Sequence, residues 1–391
     1  MHHIGVVNIQ VYTQLYLRMY SDPMNAALRP HAVRHASRLK RLVQPLVVPE
    51  VFDFWASRVN STWSWERPLA RIVRRQAESA DTVTLWLKPN GHWAGFRAGQ
   101  HVNVSAQIDG VRVTRSYSLT SASKVGGCVA ITVKGIEGGK FSQYLRSSAG
   151  IGDVLGLGPA FGDMTLPASP TGSWLFLAAG SGVTPLMSMV RALAGQGMPV
   201  PLTLVYWARS RHEFCFADEL RALAARHANF SVRFVLTREA ARGGDESEGR
   251  IGEAQLAAVI DDLADQQVFA CGPGGFVDTA RTLLSSRARS FQAEAFTPLP
   301  QAVEETGTVQ VTLAASGRIL TLDRGTSLLK ALEAEGLRPA SGCRMGICNT
   351  CSCGKSSGAT RNLNTGELAS EPVSALKLCI SSAVTDLVLD L

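Results

Sequence analysis

Four cysteines near the C-terminus have the spacing of a metal–sulfur site. Cys343-x4-Cys348-x2-Cys351 is followed, after 27 intervening residues, by Cys379. Three thiolates from one tight loop and a fourth from a distant segment give each iron of a [2Fe–2S] cluster two ligands, in the plant-type spacing. The small residues Ser341, Gly342, Gly346 and Thr350 let backbone N–H groups approach the sulfurs and offset their negative charge. A zinc site with four cysteine ligands is the alternative. Such sites usually show two C-x2-C knuckles, whereas this loop has one short pair and an x4 offset. Cys353 fits no ligand position and is expected to be a spectator. A cluster of this kind moves single electrons, so the chain is expected to be an electron-transfer oxidoreductase.

Other segments have residue types suited to nucleotides. Gly180-Ser-Gly-Val-Thr-Pro185 lies between a wholly apolar run and a helical stretch, where a phosphate-binding turn would meet a helix N-terminus. It is not G-x-G-x-x-G, because Pro185 stands at the third glycine position, and proline is well tolerated in a first helical turn. Tyr206-Trp-Ala-Arg-Ser-Arg211 ends the next strand with Arg209, Ser210 and Arg211 and no acid before Glu213. An acid there would suit the ribose hydroxyls of NADH, and Arg or Ser the 2′-phosphate of NADPH. NADPH is therefore expected, with NADH as the alternative.

Segments of different pattern must position these residues. From Arg67 to about Leu166 short alternating strands (Thr82–Leu87, His101–Ile108, Arg112–Ser118, Cys128–Val133) are punctuated by Gly and Pro, the pattern of an antiparallel barrel. From Ser173 the strands Trp174–Ala179, Leu202–Trp207, Ser231–Leu236 and Gln267–Cys271 alternate with helical stretches Leu186–Leu193 and Glu213–Ala225, which implies a parallel α/β sheet. Thr297–Gly307 reads as a linker. Beyond it come a hairpin (Thr308–Ala314, Arg318–Asp323), a helix (Ser327–Glu335) and the cysteine loop. The fold class is thus multidomain. A basic, partly helical extension (1–65, helical over His31–Val47 and irregular around Pro49) precedes an antiparallel β-barrel (66–169) and a nucleotide-binding α/β domain (170–296). The linker (297–306) leads to an α+β domain that carries the cysteine loop (307–391).

Several of these residues resemble a known family. Arg115-Ser-Tyr-Ser-Leu119 resembles the R-x-Y-S motif of the ferredoxin–NAD(P)H reductase superfamily, and Gly138-Gly-Lys-Phe-Ser142 is similar to its second flavin motif. Cys271-Gly-Pro-Gly-Gly275 resembles its C-G-P motif and Glu294-Ala-Phe296 its E-x-F ending. Residues 305–391 resemble a plant-type ferredoxin domain of β-grasp fold, with eight basic and eight acidic residues where stand-alone ferredoxins are strongly acidic. The resemblance implies FAD rather than FMN on the barrel, with Arg115, Gly139, Lys140 and Ser142 at its pyrophosphate, Tyr117 against the isoalloxazine and Ser118 near N5. It implies a nucleotide held by Gly180, Gly182, Thr184, Pro185, Arg209 and Ser210. The backbone of Gly272 and Pro273 then lines the nicotinamide, with the Cys271 thiol near its reacting carbon; a buried, inert core cysteine is the alternative. Phe296 is expected near the flavin ring or as a linker anchor. Ser118 and Cys271 are thus the residues expected at the reacting atoms.

The domain order resembles the reductase components of bacterial oxygenases, and the basic extension those of membrane fatty-acid desaturases and alkane hydroxylases. The implied partner is a terminal oxygenase or desaturase; the alternatives are a soluble aromatic-ring oxygenase using NADH, and a non-catalytic iron–sulfur carrier. The net charge of +7 lies within residues 1–75, which hold eleven Lys or Arg and four acids. No nucleic-acid motif accompanies that charge, no run of apolar residues is long enough for a membrane span, and no secretory signal is recognisable. A monomeric cytoplasmic protein, peripheral at most to the inner face of the membrane, is expected.

Overall fold

The computed structural model describes residues 48–122, 127–260, 262–296 and 305–391. The helix expected over His31–Val47 lies outside them. Around Pro49 the chain is not irregular: helix α1 (Pro49–Val59) starts there, because proline at the first helical position has its φ preset and no N–H to lose. Asp53 anchors this helix, accepting hydrogen bonds from Trp65 N at 2.5 Å and Arg67 Nε at 2.8 Å. Val51, Phe54, Trp55 and Val59 remain exposed on its other side.

Strands β1 (Leu69–Ser79), β2 (Thr82–Pro89), β3 (His101–Ile108), β4 (Val111–Ser118), β5 (Val129–Lys134) and β6 (Val154–Phe161) form an antiparallel sheet in the order β4-β3-β6-β1-β2-β5. A bridge between Leu119 and Ile131 joins its two edges and closes the barrel. Inward-facing Ile72, Leu85, Val102, Val104, Ile131 and Leu155 are fully buried, each contributing roughly 2 kcal/mol by leaving water. The sequence pattern located β2 to β5 but not β1 or β6, whose Arg, Gln and Gly residues interrupt the alternation. A short helix, α2 (Lys140–Gln143), follows β5.

The second sheet is parallel. Strands β7 (Ser173–Ala179), β8 (Leu202–Ala208), β9 (Phe230–Leu236), β10 (Glu246–Glu248), β11 (Gln266–Gly272) and β12 (Ser290–Ala295) lie in the order β10-β9-β8-β7-β11-β12. Helices α3 (Val183–Ala194) and α4 (Ala217–Arg226) cover one face over Phe176, Tyr206 and Phe234. Helices α5 (Glu253–Ala257) and α6 (Gly274–Leu284) cover the other over Leu175, Leu177, Val205 and Val268. Double coverage explains why β7 is apolar throughout rather than alternating. α4 begins at Ala217, later than expected, because Arg211–Glu213 forms a separate 3₁₀ turn.

The third unit has a five-stranded sheet and a three-stranded one. Strands β13 (Thr308–Leu313), β14 (Ile319–Asp323), β15 (Ser352–Ser357), β18 (Val373–Lys377) and β20 (Leu387–Leu389) are ordered β14-β13-β20-β15-β18. Strands β16 (Thr360–Asn362), β17 (Leu368–Ala369) and β19 (Ser381–Ala383) form the smaller sheet. β13 and β20 pair in parallel, and α7 (Leu328–Ala334) packs on them, the β-grasp arrangement.

The order of the parallel sheet reverses between β7 and β11, the switch point where such sheets open a crevice for ligands. There Gly182 touches the end of β11: a Cβ would overlap the Cys271 carbonyl and come within 2.7 Å of Gly272 N. Gly182→Ala is expected to cost about 1–3 kcal/mol from overpacking, read as a lower thermal midpoint accompanied by slower flavin reduction by NAD(P)H.

Candidate functional site

The three units meet at one cavity of about 820 Å³, near the top of the roughly 300–1,000 Å³ range of ligand sites. Its walls are the end of β4, the switch point of the parallel sheet and the cysteine loop.

On the barrel side Arg115, Tyr117 and Ser118 line the cavity, with Gly139, Lys140 and Ser142 beside them. Tyr117 stacks on Phe141, ring centroids 6.1 Å apart, and burial raises its hydroxyl pKa, so the phenol stays neutral. Burial also lowers the Arg115 guanidinium, with the like charge of Arg344 adding to the effect; it remains a cation. Ser142 Oγ accepts from Ile136 N at 3.1 Å and donates to Gly139 O at 3.2 Å, which fixes the turn. Lys140 also pairs at the surface with Asp109, 3.0 Å away.

On the nucleotide side Ala179, Gly180, Ser181 and Thr184 line the cavity at the start of α3, where N–H groups and the helix dipole favour an anion. Pro273 faces it from the start of α6, and Phe296 from beyond β12. Phe296 is tied down by its N–H to Gly272 O at 2.9 Å. His101 lies beside it, with Nε2 3.0 Å from Glu294 Oε2 in a buried pair between barrel and parallel sheet. Sequence reasoning missed His101, since a single histidine on an alternating strand gives no signal.

Several expected residues do not face the cavity. Gly182, Pro185 and Gly272 lie behind it, packing the switch point. Cys271 is fully buried, its Sγ 3.8 Å from Met164 Sδ, and burial pushes its thiol pKa well up. The Cys271 thiol thus stands protonated in the core and does not line the cavity, the arrangement of the buried core cysteine that was the alternative. The Ser210 carbonyl accepts from Glu213 N at 3.1 Å in the 3₁₀ turn, and its side chain does not face the cavity. Arg211 is not available either: it forks onto Glu246 at 2.6–2.7 Å and pairs with Glu239, holding the Glu246 carboxyl down at about 2. Arg209 does line the cavity, with Glu213 2.6 Å away. Arg238 and Arg250 join it there, neither with a carboxylate partner among the described residues. They come from loops after β9 and β10, too far along the chain for local pattern to associate them with Arg209.

The cysteine loop contributes Cys343, Met345 and Ile347 to the same cavity. Arg344, Gly346 and Asn349 take positive φ, turning successive N–H groups inward. Met345, Ile347 and Cys348 each donate N–H to Cys343 Sγ at 3.3 Å, and Cys343 N–H reaches Cys348 Sγ at 3.1 Å. The four sulfurs fall into two interacting pairs, Cys343 with Cys348 and Cys351 with Cys379, in each of which the neighbouring thiol holds one member's pKa down, that of Cys348 and that of Cys351. Among the described residues no three such side chains converge on a single ion. Two pairs of sulfurs with inward N–H donors fit a two-iron cluster with two thiolates per iron. Cys353 is buried in the adjoining core, its pKa pushed up to about 11 by burial.

Comparison with known proteins agrees with this geometry. An oxidoreductase FAD-binding domain family matches residues 69–165, an oxidoreductase NAD-binding domain family residues 176–282 and a 2Fe-2S iron-sulfur cluster binding domain family residues 311–382. An NADPH oxidoreductase of Mycobacterium tuberculosis is 32% identical over 375 residues, 94% of this chain and 96% of that protein. The chain belongs to the ferredoxin–NAD(P)H reductase superfamily. A glycine betaine monooxygenase reductase subunit of Pseudomonas aeruginosa is 29% identical, over 85% of this chain and 97% of its own length. Among solved structures, phthalate dioxygenase reductase has the same fold at a TM-score of 0.57 and 24% identity, covering 83% of this chain and 97% of its own. The protein is therefore an NAD(P)H:acceptor oxidoreductase of the ferredoxin reductase type with FAD-, NAD- and [2Fe–2S]-binding domains. Among the described residues no helix is long and apolar enough to cross a membrane.

Burial separates the cysteines chemically. In cluster-free folded protein at pH 7, iodoacetamide is expected to label the exposed Cys128 and the half-buried Cys343–Cys348 pair, and to spare Cys271 until unfolding. Peptide mass spectrometry reads the order; labelling of Cys271 in the folded state would place that thiol in the cavity after all.

Proposed function

We propose that this protein takes electrons from NADPH and delivers them singly to a terminal oxygenase or desaturase. The observation that supports this is the shared cavity, in which the β4 end, the α3 N-terminus and the cysteine loop face one another. FAD held by Arg115, Tyr117 and Ser118 would supply the conversion of a two-electron hydride into single electrons, and a [2Fe–2S] cluster held by Cys343, Cys348, Cys351 and Cys379 would supply one-electron transfer. In this reading the units fall at 66–169, 170–296 and 307–391, with 297–306 as linker.

Each side chain then has a positional task. Tyr117 offers the isoalloxazine a flat neutral neighbour, and the buried Ser118 hydroxyl a hydrogen bond near N5. Arg115 and the turn fixed by Ser142 receive the pyrophosphate, with Lys140 at its outer edge. Gly180, Thr184 and the first turn of α3 hold the nucleotide phosphates, while Gly182, Pro185 and Gly272 keep that turn tight. Pro273 and Phe296 bound the nicotinamide. Cys343, Cys348, Cys351 and Cys379 hold the irons. No general acid or base is needed.

The NADPH preference rests on Arg209, Arg238 and Arg250 at the nucleotide end of the cavity, where a 2′-phosphate would meet them. They replace the Arg209–Ser210 pair suggested by spacing. Removing Arg238 and Arg250 together is expected to raise KM for NADPH about tenfold or more and leave KM for NADH within about twofold, since a lost charged contact costs some 1.5–3 kcal/mol. Steady-state cytochrome c reduction with each nucleotide checks this, and equal losses for both would reject NADPH selection.

The acceptor is proposed to be a di-iron fatty-acid desaturase or hydroxylase, on the grounds of the basic N-terminal segment. The protein would act as a cytoplasmic monomer, peripheral to the membrane. A second reading, an NADH-using reductase of a soluble oxygenase, is supported by the names of relatives such as the glycine betaine monooxygenase reductase subunit. Removal of residues 1–47 separates the two, because it leaves the Asp53 anchor of α1 intact. Loss of turnover with a membrane partner, at unchanged cytochrome c reduction, supports the first.

A further inference from the structure

Asn103 lies on β3 directly opposite Ser116 of β4, and Ser116 stands between Arg115 and Tyr117. Its amide bonds in both directions. Ser116 Oγ donates to Asn103 Oδ1, and Asn103 Nδ2 donates to Thr350 Oγ1 at 3.1 Å across to the cysteine loop. The Thr350 hydroxyl in turn donates to the Cys348 carbonyl at 3.5 Å, within the cysteine loop. The meeting point is the buried Gly342. A Cβ there would lie 2.8 Å from Cys348 Sγ, 2.9 Å from Asn103 Oδ1 and 3.0 Å from Thr350 Oγ1. The Gly342 backbone therefore lies against the Asn103 side chain where the barrel and the ferredoxin unit touch, and a polar chain of three side chains runs from the strand between Arg115 and Tyr117 to the cysteine loop.

We propose that Asn103 and Thr350 are positioning residues for electron passage between the flavin and cluster sites: Asn103 clamps the cysteine loop to β4, and Thr350 ties that clamp to the Cys348 backbone. The inference rests on the reading that flavin lies along the end of β4 and the cluster on the four cysteines. In the step concerned, one electron leaves the reduced flavin and enters the oxidised cluster; the electrons come from the nicotinamide hydride, and no bond to the protein forms or breaks.

The test uses the full-length holoprotein. Rapid mixing with NADPH follows the flavin and iron–sulfur absorbance bands separately, and a redox titration of the reduced-cluster EPR signal gives the potential. Asn103→Ala and Thr350→Val are expected to keep both visible bands and the native rate of flavin bleaching. Cluster bleaching should slow about ten- to hundredfold, the scale on which a displacement of about 1 Å acts. The double variant should be no slower than the slower single, because both remove one chain. Thr350→Val should leave the cluster potential unchanged, and Thr350→Ser, which keeps the hydroxyl, should restore the rate. Native cluster bleaching in Thr350→Val, or a slower rate accompanied by a lowered potential, overturns the proposal. If Asn103→Ala loses its colour, Thr350→Val, which keeps the side-chain shape, decides alone. A native protein whose flavin band does not bleach with NADPH or NADH would instead overturn the reading of the cofactor sites.

Discussion

Electrons pass between two centres only where the centres come close, and this constraint is met at Gly342, whose backbone lies against the Asn103 side chain of the barrel. Every larger feature serves that approach. The barrel has to close through Leu119 and Ile131 so that β4 ends at the cavity. The ferredoxin unit has to present its loop with Arg344, Gly346 and Asn349 at positive φ. The parallel sheet has to bring its switch point to the same cavity. A side chain at Gly342 would meet atoms of both sides at once, so only glycine lets the two units come this close.

The barrel and the parallel sheet are joined by polar contacts as well as by the apolar packing of Ala98 and Met164 on the α3 core. Ser188 Oγ accepts from Gly99 N at 2.7 Å, and Arg191 Nη1 donates to the Thr120 carbonyl at 2.6 Å. Both contacts are directional, and the His101–Glu294 pair, 3.0 Å apart, lies at the same boundary. A directional interface fixes the angle between two units better than an oily one, because a hydrogen bond weakens steeply as its geometry departs from linear. Hydride transfer needs that fixed angle between nucleotide and flavin sites.

The parts legible in the sequence were those whose chemistry is local. The cysteine spacing, the glycine-rich turn after β7 and the Arg115–Ser118 strand end each carry their function within a few residues, and the structure brings them to one cavity. The α/β segment was readable because β7 is apolar throughout, as double coverage requires. β1 and β6 were not, since charged and glycine residues break their alternation. Arg211 seemed free in the sequence because its partners, Glu239 and Glu246, lie 28 and 35 residues away. For the same reason Arg238 and Arg250, which do reach the cavity, could not be associated with Arg209. Cys271 was placed by its motif at the nicotinamide; its burial against Met164 depends on side-chain direction, which no spacing encodes.

The parallel pairing of β13 with β20 has a consequence for how the protein is made. Val311 aligns with Leu387, so the first strand of the ferredoxin unit has no completed sheet until the last has left the ribosome. Contacts that distant in sequence close late, whereas the barrel and nucleotide units lie upstream and domains fold in order of synthesis. The cluster scaffold therefore closes after the barrel and nucleotide units, which lie upstream of it.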